Sequence, residues 1–288
     1  MANYREYNAK LRQLQGMRRV TGAMKMLATT KLARAQAMLT QAQGFGTEWR
    51  HLLRMAEHLV NRQNPLVAPR AKPENVFVLM LTADMGLCGG FNNNLIRLVG
   101  RWLDENAARY RILRFSFCGR KGYQHFRRQV EVRAFYEQAV RHPDLTLARR
   151  LSREVFTPYV EGKYDEIYLA RNRYFSPLWQ EPVVERLLPV DLSALPPAPA
   201  GREPDVLLEP HSPRLLTHVL ELHVCQRIFS ALWENASGEH AARMTAMDSA
   251  AKNIDHLCQT YTLLRNRARQ DAITTELTEV VAGAEALH

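Results

Sequence analysis

The stretch best placed to do chemistry is a glycine-rich turn, Asp84-Met-Gly-Leu-Cys-Gly-Gly90. It follows a continuous apolar run, residues 76–82 (VFVLMLT), of the kind that forms a strand buried on both faces. A helical pattern over residues 92–108 comes next. Phosphate-binding loops sit at such strand-to-helix junctions, where backbone N–H groups point at the ligand. This turn lacks the Gly-Lys-Ser/Thr of a Walker loop and the spacing of the dinucleotide fingerprint. The favoured reading is a tight turn whose glycines let a helix pack on the sheet. Ten histidines are present, none at a metal-binding distance in sequence from a second ligand. His240 lies on a helical stripe and reads as a polar core residue. Cys88, Cys118, Cys225 and Cys258 are scattered with no Cys-x-x-Cys pair, which argues against zinc and a disulfide framework and fits a reducing compartment. There is no nucleophile elbow and no convincing pair of catalytic carboxylates. Neither a catalytic residue, a metal nor a cofactor is expected.

Charge points to a binding surface instead. The chain of 288 residues carries a formal net charge of +10. Between Tyr7 and Thr47 there is no Asp or Glu, while Lys10, Arg12, Arg18, Arg19, Lys25, Lys31 and Arg34 are present. Solvated helix faces normally mix signs. An unmixed basic helix expects something acidic: nucleic acid, an anionic membrane or an acidic protein surface. Arg265, Arg267 and Arg269 form a second basic patch. A basic coiled coil that grips nucleic acid through Arg12, Arg18, Arg19 and Arg34 is the alternative function. Aromatic stacking residues are sparse along that helix after Tyr7, which weighs against a single-strand binder. No run approaches the roughly 18 apolar residues of a membrane span. The basic N-terminus lacks the apolar centre of a signal peptide and reads as mature protein.

Two long elements must carry these residues. Between Pro213 and Gly283 there is no proline and one glycine, Gly238. His240, Ala241, Met244, Met247, Ala251, Ile254, Cys258 and Tyr261 fall on one narrow stripe, the seam of a heptad pattern. A helix of that length runs roughly 100 Å at about 1.5 Å per residue, so it needs a partner helix. Residues 1–64 hold no proline, and Tyr4, Tyr7, Leu11, Leu14, Met17, Thr21, Met24, Ala28, Leu32 and Ala35 again step by threes and fours. Gly16 and Gly22 would let a second helix approach closely, while Gly44 and Gly46 mark a kink ahead of the stop at Asn64-Pro65. The two chain ends are therefore expected to pair as an antiparallel coiled coil that brings Met24 near Ile273. Between them, strands at 76–82, 111–118, 130–136, 165–173 and 183–190, with an edge strand at 206–209, alternate with helices. Residues 195–204, with four prolines, form a loop. The expected fold class is α/β: a long antiparallel coiled coil of N- and C-terminal helices plus a central Rossmann-like α/β domain with a mainly parallel sheet. The expected division is 1–64, 75–210 and 211–288.

Three stretches together resemble the gamma subunit of F-type ATP synthases, in bacterial form. They are Thr21-Gly-Ala-Met-Lys-Met-Leu-Ala28 with Lys31-Leu-Ala-Arg-Ala-Gln36, then Gly86-Leu-Cys-Gly-Gly-Phe-Asn92, then Glu239-His-Ala-Ala-Arg-Met-Thr-Ala-Met-Asp248. The segment 268–274 and the Val-Val-Ala-Gly-Ala tip extend the third. The resemblance implies a non-catalytic central-stalk rotor subunit that transmits torque between a membrane ring of c subunits and a hexamer of alpha and beta subunits. It implies the epsilon subunit as a further partner, no nucleic acid, and a peripheral place on the cytoplasmic face of the bacterial inner membrane. Carried over one at a time, Met24 with its neighbour Lys25 matches the part of the family that faces an acidic loop of the beta subunit. Arg269, Gln270 and Thr274 match its polar contacts with the hexamer, and Glu209 matches an acidic residue near the ring. The chain departs from the family at Met85, where a basic residue is usual, and in its proline-rich 195–204 loop.

Overall fold

A computed structural model describes residues 2–55, 65–194 and 213–285. The chain forms two compact units: residues 29–242, and residues 1–28 together with 243–288. The limits fall inside the first and last helices, α1 (Ala2–Met55) and α5 (Pro213–Glu285).

The 29–242 unit is built on a five-stranded sheet. Its elements are β1 (Asn75–Leu81), α2 (Phe91–Asn106), β2 (Ile112–Cys118), α3 (Arg120–Phe126), β3 (Glu131–Tyr136), α4 (Leu145–Val160), β4 (Glu166–Ser176) and β5 (Trp179–Leu188). Strand order is β3-β2-β1-β4-β5. The first four strands are parallel and β5 is antiparallel to β4. β1 is central, and Val76 to Leu81 are wholly buried, as its unbroken apolar run requires. Alternate side chains of β1 feed two cores. Phe77, Leu79 and Leu81 meet Leu151, Val155 and Tyr159 of α4 and Leu220, Val224 and Ile228 of α5. Val76, Val78 and Met80 meet Leu95 and Val99 of α2 together with Phe115, Phe117 and Phe126. Each such fully buried large side chain contributes about 1.5–3 kcal/mol. Within this unit one stretch of α5, residues 231–239, is enclosed on every side.

Several expectations change. α1 continues as one helix through Gly44 and Gly46. Gly46 instead marks a close approach, since a Cβ there would lie 2.2 Å from Gln226 Nε2. The glycines that let a helix settle on the sheet are not those of the 84–90 turn. They are Gly119, at φ 97°, and Gly122. A Cβ on Gly119 would sit 2.1 Å from the Thr82 carbonyl oxygen. The 84–90 turn is held from within: Asn92 Oδ1 accepts the Ala83 N–H at 2.9 Å, and Asn92 Nδ2 donates to Cys88 Sγ at 3.2 Å. β5 begins at Trp179, four residues before the expected 183, and forms a hairpin with β4. The edge strand at 206–209, Glu209 and the 195–204 loop lie outside the described residues.

Candidate functional site

In the smaller unit, the start of α1 pairs with the C-terminal part of α5. Leu11, Leu14 and Ala28 are buried on one side, Met247 and Ile254 on the other. The Tyr7 and Tyr261 rings lie 6.1 Å apart between centroids. Arg18 Nε meets Asp255 Oδ1 at 2.7 Å, and Lys25 Nζ meets Asp248 Oδ1 at 2.5 Å. Numbers rising on α1 match numbers falling on α5, so the helices are antiparallel. Ala251, Cys258 and Tyr261 are half-buried, which keeps the α5 seam where the heptad spacing put it. On α1, Met17 departs from the expected stripe at 50% exposed, while Tyr4, Tyr7, Leu11, Leu14, Thr21, Met24 and Ala28 are buried or half-buried as the spacing requires.

The register differs from expectation. Met24 lies at the level of Asp248, and Ile273 is about 25 residues, or about 37 Å, farther along α5. Gly16 and Gly22 have no atom within 4 Å of where a Cβ would stand, so they do not bring the two helices together. Past Ala272, α5 has run beyond the start of α1, and residues 273–282 are all exposed.

Of the expected contact residues, Met24 is half-buried and Lys25 is exposed. Arg269, Gln270 and Thr274 are exposed on α5, where Thr274 Oγ1 donates to the Gln270 carbonyl at 3.0 Å. Lys25 is thus brought to Asp248, but neither Met24 nor Lys25 reaches the 269–274 group. Part of the acid that the basic helix called for is supplied by α5 itself. Hydrogen bonds from Lys25 and Lys252 hold the Asp248 carboxyl down at about 2. Lys10, Arg12, Arg19, Lys31 and Arg34 stay exposed, with no carboxylate in ion-pair range among the described residues. Between these cations stand large exposed apolar side chains: Val20, Leu27 and Met26, the last 74% exposed. On α5, Leu263 is exposed near Arg265, while Leu277, Val280 and Val281 are exposed beside Glu276 and Glu279. The start of α1 therefore presents a mixed apolar and cationic outer surface and the end of α5 an apolar and acidic one, both suited to contact with another protein.

The 29–242 unit holds a buried ion cluster that sequence reasoning missed. Arg171 of β4 bonds Glu185 of β5 at 2.8 Å and Glu234 of α5 at 2.5 Å. Arg173 and Arg227 join Glu185 at 3.0 and 3.2 Å, and the Tyr174 N–H donates to Glu234 at 3.2 Å. Burial pushes the Glu185 carboxyl up, but Arg171 and Arg227 outweigh it and hold it at about 2. A signal existed: Arg171 stands in a strand and Glu234 in a fully enclosed helical stretch, and a buried charge needs a partner. Among the described residues no cluster of metal ligands occurs, and no helix is long and apolar enough to cross a membrane.

The family model described as ATP synthase matches residues 3–287. The ATP synthase gamma chain of Moorella thermoacetica is 40% identical over 290 residues and matches 100% of both chains. The ATP synthase gamma chain of Anaeromyxobacter sp. (strain K) is 37% identical over 292 residues, again across 100% of both. Among solved structures, a chain of the Euglena gracilis mitochondrial ATP synthase matches with a TM-score of 0.69 at 19% identity. That match covers 100% of this chain and 95% of the other. A chain of the Tetrahymena thermophila mitochondrial ATP synthase central stalk and c-ring matches with a TM-score of 0.63 at 22% identity. It covers 80% of this chain and 99% of the other. These two likenesses concern the fold.

Proposed function

Because the chain belongs to the gamma-chain family of ATP synthases, we propose that its paired terminal helices turn inside a hexamer of alpha and beta subunits and transmit torque from a ring of c subunits. The chain is a central-stalk subunit and a non-catalytic component of the synthase. The nucleic-acid alternative finds no support in these relatives.

The observation that carries the torque reading is the antiparallel pair of α1 and α5, with its buried seam and its apolar, charged exterior. A narrow core of Leu11, Leu14, Ala28, Met247 and Ile254 fixes one helix against the other. The large exposed side chains are left for surrounding subunits. Torque is then differential contact energy. As the pair turns, its uneven surface meets each catalytic subunit differently and favours a different conformer in each. An acidic loop of the beta subunit is the natural counterpart of Met24 and Lys25. Arg269, Gln270 and Thr274 meet the hexamer farther along α5, and Glu209 approaches the ring. The epsilon subunit packs against the 29–242 unit. The complex sits peripherally on the cytoplasmic face of a bacterial membrane.

The test is co-expression with alpha and beta subunits, followed by observation of a bead fixed to Cys-substituted Lys163 during ATP hydrolysis. The expected result is a complex in which the bead rotates in discrete steps. A chain that purifies free of both subunits, or a complex that hydrolyses ATP with a stationary bead, overturns the proposal.

A further inference from the structure

We propose that a hollow in the 29–242 unit, between α1, β4, β5 and α5, binds a multivalent oxyanion of the phosphate class. The cavity measures about 810 Å³, within the range of small-molecule sites. Five guanidinium groups line it: Arg50, Arg171, Arg173, Arg186 and Arg227. Three carboxylates face them, Glu185, Glu234 and Asp191. Positive charge is therefore in excess around a partly open hollow.

The carboxylates are already committed. Glu185 is shared by Arg171, Arg173 and Arg227, and Glu234 takes Arg171 and the Tyr174 N–H. Asp191 accepts the Ser193 N–H at 2.9 Å and its hydroxyl at 2.6 Å. Arg186 reaches Glu166 only at 3.6 Å. Arg50 meets no carboxylate among the described residues and donates to Thr47 Oγ1 at 3.2 Å. A guanidinium has five N–H donors in a planar fork, so most of this donor capacity is unspent.

His223 adds an independent sign. It is 3% exposed, lines the same cavity, and its Nδ1 has no hydrogen-bond partner among the described residues. Burial, then Arg227 and Arg50, push its pKa down to about 4, so the ring is neutral and sits in a positive field. In the tautomer protonated at Nδ1 it becomes one more donor. Guanidinium forks pair bidentately with phosphate oxygens, and a multivalent phosphate offers more such oxygens than one carboxylate. The volume exceeds one phosphate, and Tyr174 and Phe175 on the wall offer faces for an organic part.

Inorganic pyrophosphate is the probe, titrated calorimetrically into the purified full chain in a chloride background of constant ionic strength. The expected result is saturable binding of one pyrophosphate per chain. Arg50→Gln should weaken it at least about tenfold, and Arg12→Gln, an equal loss of charge on the same helix, less than about twofold. Absence of saturable binding overturns the proposal. Equal weakening by the two substitutions also overturns it, because the attraction would then be diffuse.

Discussion

Glu185 holds three guanidinium groups, and that loading ties the larger unit to pH. Its carboxyl is held at about 2 in the folded chain against an ordinary 4.5. The stabilisation is fully present above about pH 4.5 and is lost as pH falls through about 2, and it amounts to on the order of 3 kcal/mol. Urea unfolding between pH 5.5 and 2.5 should show stability falling more steeply in the native sequence than in Glu185→Gln. Equal slopes would rule out this carboxyl as the source. On the smaller unit, Met24→Lys puts a second cation beside Lys25, which already spends its charge on Asp248. Assembly should survive, while ion pumping per ATP hydrolysed should fall as the added cation grips an acidic loop. An unchanged coupling ratio would refute it. The expectation that Met24, Lys25, Arg269, Gln270 and Thr274 meet other subunits rests on family likeness alone. The Arg171 to Glu234 bond joins positions 63 residues apart, and no local spacing announces such a pair.

Elements were legible where one face meets solvent. The α5 seam from Met247 to Tyr261 could be read because that stretch has a buried and an exposed side. From Ala231 to Glu239 every side is buried, so the period vanishes and only the polar residues Glu234, Asn235 and Ser237 hint at the surroundings. β5 starts ahead of the expected 183 and takes in Pro182, a residue that cannot donate to a strand ladder. Pro182 is tolerated because β5 is an edge strand, paired among the described residues with β4 alone. The glycines of the helices separate into two kinds. A Cβ on Gly238 would lie 2.8 Å from the Phe91 ring and 3.3 Å from Gln180, whereas Gly16 and Gly22 face open space. Gly238→Ala should therefore lower thermal stability by about 1–3 kcal/mol despite its better helix propensity. Gly16→Ala and Gly22→Ala should each raise it, by up to about 1 kcal/mol. Calorimetry on the three variants separates the cases, and a stabilising Gly238→Ala would show that the ring yields freely.

At the scale of the molecule, the net charge of +10 was read as a demand for acidic partners, and the demand is only partly met within the chain. Asp248 and Asp255 neutralise Lys25 and Arg18, leaving the other cations of α1 outward. Segregation of charge was visible in sequence. Its partial repayment was not, because it depends on the register of two helices more than 200 residues apart. That register has one more effect. Residues 273–282 continue α5 with no other described helix beside them, so their backbone hydrogen bonds face solvent and the end of the helix opens locally at little cost. Backbone amides from Thr274 to Ala282 should hence exchange with deuterium almost as fast as in an unstructured peptide while the chain is alone, and slow markedly once other subunits enclose them. The final turns would then serve as a built-in reporter of assembly, ordered by company rather than by their own sequence.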